Sequence, residues 1–289
     1  MNFPQFVFRI GCVVIGSLIF FMPAAFAQQI SIKNQIWSMD VIRPSGQPII
    51  PMFEGWFPNE DGTRTLCFGY NSLNTEEAID IPLGENNYFI GSPSEVLLPT
   101  HFDPIPPRTE LHPSYRRQFC VFTVVLPTDV GSSLLGTVEW HLTSAGETLS
   151  SPANTTDAYR LDEPSSHGRQ EIAPVIRLTE GGERVRGRNG ISSTASTMGK
   201  VNEPVQLSAW IEHPDEEIWI GWKKHTGPGE VKFDEWEYRF EPNKGPTTVQ
   251  TTFSEVGRYV IRLQSLNTPD AFEFFCCHTT GYITVDISK

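Results

Sequence analysis

In "RTLCFGY", residues 64–70, Leu66, Phe68 and Tyr70 fall on one side of an extended backbone and Thr65, Cys67 and Gly69 on the other. Successive side chains of a strand point to opposite faces, so this period of two is the signature of a half-buried strand. It returns in "VQLSAWIEH", where Val205, Leu207, Ala209 and Ile211 share a face, and in "IWIGWKK", where Ile218, Ile220 and Trp222 do. Glycine-bearing turn clusters punctuate the runs: Asn59-Glu60-Asp61-Gly62, Ala145-Gly146 and Gly227-Pro228-Gly229. Such turns supply the positive φ that tight connections require. No convincing helical spacing competes with this pattern. Short strands at turn-punctuated spacing predict an all-β chain with a β-sandwich in each half.

The division of the chain follows from its polar and apolar runs. Arg9, an apolar run from Ile10 to Phe21 and the Ala25-Phe26-Ala27 triplet read as a signal peptide over residues 1–27. No second apolar stretch of spanning length follows, so no membrane span is expected in the mature chain. Residues 28–160 are then the first domain, 161–175 a linker and 176–289 the second domain. The polar stretch "ANTTDAYRLDEPSSHGRQEIA" marks the joint. A second interruption, "GSPSEVLLPTHFDPIPPRTELHPS", carries six prolines and reads as a long extended loop of the kind that often serves function.

Charge narrows the partners. Removing the leader takes away one Arg and no acid, leaving 21 basic residues against 34 acidic ones. The excess lies in the first half, where residues 28–164 hold 17 acids and 7 bases. Nucleic acid and anionic membrane both favour a basic surface, so neither is expected as partner. A protein or glycan partner remains.

A resemblance appears at residues 200–287. "HTGPGEVKF", "TTFSEVGRYVIRLQS" and the closing "GYITVDI" resemble the polycystic-kidney-disease-like and immunoglobulin-like modules of secreted bacterial proteins. Trp222 and Tyr259 match positions that such modules bury. The Trp-Asp-Phe-Gly-Asp-Gly box of the polycystic-kidney-disease module is absent. The whole chain also resembles exported two-domain bacterial proteins of unassigned function, with "FEGW" near the front and a Cys-Cys pair near the end. The resemblance implies tandem immunoglobulin-like or fibronectin-III-like sandwiches in a periplasmic or secreted protein. It implies no activity.

After cleavage four cysteines remain, Cys67, Cys120, Cys276 and Cys277. An even count in an exported chain suggests disulfides, and four cysteines allow three pairings. Cys67 with Cys120 would join two strands of the first domain. Cys276 and Cys277 adjoin His278, which admits a vicinal staple, a redox pair or a soft-metal site, in that order of preference.

No nucleophile elbow, zincin motif or phosphate-cradling loop occurs, so neither catalysis nor a cofactor or metal is expected. The candidate binding residues are outward aromatics: Trp219, on the face opposite Trp222, and Trp236 with Tyr238, two apart on a shared face. The expected function is non-catalytic binding or assembly. The alternatives are a thiol- or metal-handling protein using Cys276, Cys277 and His278, or a carbohydrate-active enzyme with carboxylates converging between the domains.

Overall fold

The computed structural model describes residues 43–91, 96–105, 117–128, 137–161, 172–267 and 278–289. The leader, the linker residues 162–171 and the pair Cys276–Cys277 lie outside the described residues. Among those described, the regular structure is all β apart from one 3-10 turn, Asp157–Tyr159. No described helix is long and apolar enough to cross a membrane.

The first half contributes β1 (Ile49–Pro58), β2 (Arg64–Ser72), β3 (Ile79–Asp80), β4 (Asn87–Ile90), β5 (His101–Phe102), β6 (Gln118–Leu126), β7 (Glu139–Ser144) and β8 (Glu147–Pro152). β1, β2 and β6 form one antiparallel sheet in that order, and β4, β7 and β8 another. β3 and β5 make a two-stranded ribbon that pairs Asp80 with His101. Both anticipated turns close hairpins. Gly62 takes φ 83° between β1 and β2, and Ala145 and Gly146 take 50° and 79° between β7 and β8. Two consecutive positive φ values are the turn whose twist matches a hairpin.

Leu66, Phe68 and Tyr70 enter the core of this half with Phe102, Phe122, Leu126, Trp140 and Leu142. Alternation would leave Cys67 on a wet face, yet it is fully buried, with Phe57, Phe119, Cys120 and Leu161 around it. β2 is therefore covered on both sides.

The second half adds β9 (Val175–Arg177), β10 (Val185–Arg186), β11 (Ile191–Ser192), β12 (Thr197–Lys200), β13 (Val205–Glu212) and β14 (Ile218–Thr226). β15 (Val231–Phe233), β16 (Glu237–Phe240), β17 (Pro246–Phe253), β18 (Gly257–Leu266) and β19 (His278–Ser288) complete it. One sheet runs β10-β9-β13-β17-β15, the other β11-β19-β18-β14-β16, with β12 also pairing β19. Entry strands β11 and β12 lie parallel to the last strand, β19. This half is an immunoglobulin-like sandwich. Val205, Leu207, Ala209, Ile211, Ile218, Ile220, Trp222 and Tyr259 fill its core. Each fully buried Val, Leu or Ile among them contributes about 1.5–3 kcal/mol.

Gly227-Pro228-Gly229 carries the chain from one sheet to the other, since β14 and β15 belong to different sheets. Gly227 is at φ 128° and lies against the Tyr259 ring, so a side chain there would meet both strain and a collision.

The described residues fall within one contact-continuous unit, Ile42–Lys289. Among the described strands β6 lies at the edge of its sheet, and an open edge presents unpaired carbonyls. Here the second half caps it. Tyr282 Oη donates to the Val121 carbonyl at 2.9 Å, and Arg262 Nη1 reaches the same oxygen at 3.4 Å. Gln264 Nε2 lies 3.5 Å from the Phe119 carbonyl. Arg262, Gln264 and Leu266 register with Tyr282, Thr280 and His278 across β18 and β19. They share the face of this sheet that points away from its own core. The edge of the first sandwich thus docks on the outer face of the second.

Candidate functional site

Trp219 and Trp236 lie beside the edge strand β16. Trp219 projects from the outer face of β14, opposite Arg239 of β16 in the register. The Arg239 guanidinium stands 4.9 Å from the Trp219 ring centroid and is held on its other side by Glu217 at 3.0 Å. The Trp219 indole is half-buried, and its Nε1 is enclosed without an acceptor among the described residues. Trp236 precedes β16, on the crossing between the two sheets, and is 47% exposed. Its carbonyl accepts from the Trp222 amide at 2.7 Å, which pins the backbone while leaving the ring outward.

Lys223 joins this surface to the first half. Its Nζ lies 4.9 Å from the Trp236 ring centroid and 3.3 Å from Asp103 Oδ2. Both indoles therefore carry a cation on one face, an arrangement worth about 0.5–1 kcal/mol at exposed sites.

Tyr238 behaves differently. Two residues beyond Trp236, it packs against the core of the second sandwich. Its hydroxyl accepts from Trp222 Nε1 at 3.0 Å, approaches Thr247 Oγ1 at 2.5 Å and lies 3.2 Å from the Thr248 carbonyl. The expected pairing of Trp236 and Tyr238 on one face does not form, because Trp236 lies outside the strand whose alternation would have aligned them. Tyr238 instead satisfies the buried indole N–H of Trp222.

Cys67 and Cys120 form a disulfide across β2 and β6, with Cα atoms 5.0 Å apart. Cys120 adopts φ 46° inside a bulge, where Phe119–Val121 oppose Gly69 alone. A Cβ on Gly69 would strike the Gln118 carbonyl and the Glu54 carboxylate, which is why glycine stands there. The cluster around the disulfide meets the second half through Arg188. This buried guanidinium lies 5.4 Å from the Phe57 ring centroid and 6.0 Å from that of Phe119. Phe119 also meets His278 edge to face at 5.8 Å. Burial lowers the His278 pKa well below the usual range, helped by Arg188 and Arg262. The roles weighed for Cys276 and Cys277 fall outside the described residues.

Two carboxylates do converge between the halves, a relationship the sequence alone did not reveal. Asp80 and Asp103 both face His101: Nδ1 is 2.8 Å from Asp80 Oδ1, and Nε2 is 3.4 Å from Asp103 Oδ1. Lys224, buried on β14, bonds both Asp80 oxygens at 3.0 and 3.1 Å. Burial would raise both carboxyls. His101 and Lys224 outweigh it at Asp80, and Lys223, His101 and Arg262 outweigh it at Asp103, so both are held low. A glycosidase pair needs one carboxyl raised so that it can act as acid. This pair has both lowered, which suits ion pairing.

No family model matches this chain, and no curated protein matches it. Among solved structures, the D00-D0 domain of intimin aligns with a TM-score of 0.27 at 8% identity, over 84% of this chain and 100% of its own. Tandem Ig repeats of Dlar align at TM-score 0.27 and 8% identity, over 84% of this chain and 98% of theirs. Domains 4 and 5 of the S-layer protein SbsC align at 0.23 and 10%, over 84% and 98%. Likenesses at these scores carry no argument about what this chain does.

Proposed function

We infer that this is a non-catalytic binding or assembly protein, exported to the periplasm or the extracellular space, that meets a protein or glycan partner through Trp219 and Trp236. The observation that carries this reading is the outward indole pair, each ring with a cation 4.9 Å from its centroid, beside edge strand β16. Trp and Arg are enriched among the residues that carry most of the binding energy at interfaces. Flat exposed rings also stack on sugars. A buried disulfide fits an oxidising compartment, which supports export. The low pKa values of Asp80 and Asp103 weigh against the carbohydrate-active alternative.

The test is a screen of the mature protein against arrayed glycans, with W236A run beside it. Signals lost in W236A support the reading. Signals of equal strength from both proteins would remove Trp236 from the site.

A further inference from the structure

Three features outside the indole surface invite a role. The first is a cavity of about 320 Å³ beside β4, lined by Leu83, Tyr88, Phe89, Val96 and Leu98, but nothing in the structure shows what fills it. The second, Glu54, is a buried carboxyl already paired with Arg117. The third is the charged cluster between the halves, and its geometry goes further.

We propose that His101 is a proton-operated latch between the two halves: proton uptake by its imidazole places a further cation on the carboxylates that Lys223 and Lys224 grip, and the halves loosen.

Shared carboxylates carry the argument. Asp80 Oδ1 receives His101 Nδ1 at 2.8 Å and Lys224 Nζ at 3.0 Å. Asp103 meets His101 through one oxygen and Lys223 through the other. The β3–β5 register sets Asp80 opposite His101, and the extended chain returns Asp103 to the same side two residues later. The two lysines come from β14 of the second half, where a bulge at Lys224–Thr226 interrupts the register with β18. Other groups near the cluster are Arg262 of β18, whose charge acts on Asp103, and Tyr70 of β2, whose hydroxyl accepts from the Asp103 amide at 2.9 Å.

Consider the first half with the second swung away. His101 would keep both carboxylates, lose the neighbouring lysine charges and gain solvent. Loss of the lysine charges and relief from burial favour the imidazolium and outweigh the weaker pull of the now solvated carboxylates. Docking therefore lowers the proton affinity of His101, and by linkage its protonation opposes docking. Within the docked protein, burial pulls the His101 pKa down while Asp103 and Asp80 pull it up, and the net shift is upward. Relative to the unfolded chain, protonation thus stabilises the fold: that contribution is full below about pH 6.5 and is lost as pH rises through the folded value. Folding and docking respond to the same proton with opposite signs, which makes the latch separable from general stability.

The other interfacial histidines stay silent in this range. Burial, then Arg262, lowers His225 to about 3, and His278 is lowered as well. His225 supplies the reporter. Its carbonyl accepts from the Thr100 amide at 2.9 Å, a bond between the halves one residue from His101.

The experiment follows the His101 ring protons by NMR for the midpoint and Thr100 amide exchange for opening, both across pH. Protection of Thr100, corrected for intrinsic exchange, should fall as pH drops through the His101 midpoint. Each unit by which docking lowers the His101 pKa appears as about a tenfold loss of protection. In H101Q the protection should lose this step, and in K224Q the His101 midpoint should rise. Protection of the parent protein that is flat through the titration, or that rises as pH falls, would overturn the latch whatever the variants do. An unchanged midpoint in K224Q would overturn the charge competition behind it.

Discussion

Tyr282 donates its hydroxyl hydrogen to the Val121 carbonyl at 2.9 Å, across 161 residues of chain. Burial pushes the Tyr282 pKa up to about 12 against the pull of Arg262, so the hydroxyl stays a donor at any ordinary pH. The bond closes the open edge of β6 with a side chain where a neighbouring strand would otherwise be needed. Removing it in Y282F keeps the ring and leaves Arg262 at 3.4 Å as the nearest remaining donor to that carbonyl. A loss of about 1 kcal/mol in a urea titration is expected. A neutral result would mean that the carbonyl finds water or Arg262 at no cost.

Glu54 predicts a pH effect of definite sign. Its carboxyl is raised from the ordinary 4.5 to about 7, burial being the larger cause and Arg117 pulling the other way. A raised pKa contributes stability that is complete below the unfolded value and lost as pH rises through the folded one. Glu54 should therefore weaken the protein between about pH 4.5 and about pH 7, by about 3 kcal/mol at most. E54Q, neutral throughout, should flatten that part of the profile. Denaturant midpoints at about pH 5 and about pH 8 measure it. An E54Q profile as steep as the parent's would sink the assignment.

The disulfide offers a third test. Cys67 and Cys120 are 53 residues apart, a loop whose closure stabilises by about 4 kcal/mol in the chain-entropy model. The double substitution C67A/C120A should lose about that much, with some further cost because both sulfurs are buried against Phe57, Phe119 and Leu161. A calorimetric melt reads the loss. Stability within 1 kcal/mol of the parent, about the scale of a single hydrogen bond, would mean that the packed cluster alone holds β6 in place.

The cores were legible in the sequence because alternation and turns act locally. Ile218, Ile220 and Trp222 lie inside, as their spacing implies, and the Asn59–Gly62 and Ala145-Gly146 turns close hairpins. The outer face of β18 and β19 was not legible. Arg262, Thr280 and Tyr282 occupy positions that alternation assigns to solvent, and all three are buried. The cover over Arg262 and Tyr282 comes from β6, more than a hundred residues earlier, and no local pattern carries that distance. One signal was present: Thr280 puts a small residue where a wet face would usually carry Lys or Glu. Asp80 and Lys224 escaped for the same reason, being 144 residues apart.

The binding surface is tested by comparing two tryptophans in unequal surroundings. Trp236 is 47% exposed with Lys223 against its ring, so W236A should cost no more than about 1 kcal/mol, the scale of that cation–π contact. Trp219 is half-buried beneath Arg239 with its Nε1 enclosed, so W219A should cost more, about 2 kcal/mol, while staying short of the 3–5 kcal/mol typical of a buried aromatic. W222A is the internal standard at the full core value, since Trp222 is fully buried and its indole donates to Tyr238. Thermal melts of the three proteins rank them before any ligand is known. The order Trp222, Trp219, Trp236 supports an outward pair free to bind. A W236A loss matching that of W222A would mean that the Trp236 ring supports the fold, and the partner would have to be sought elsewhere on the molecule.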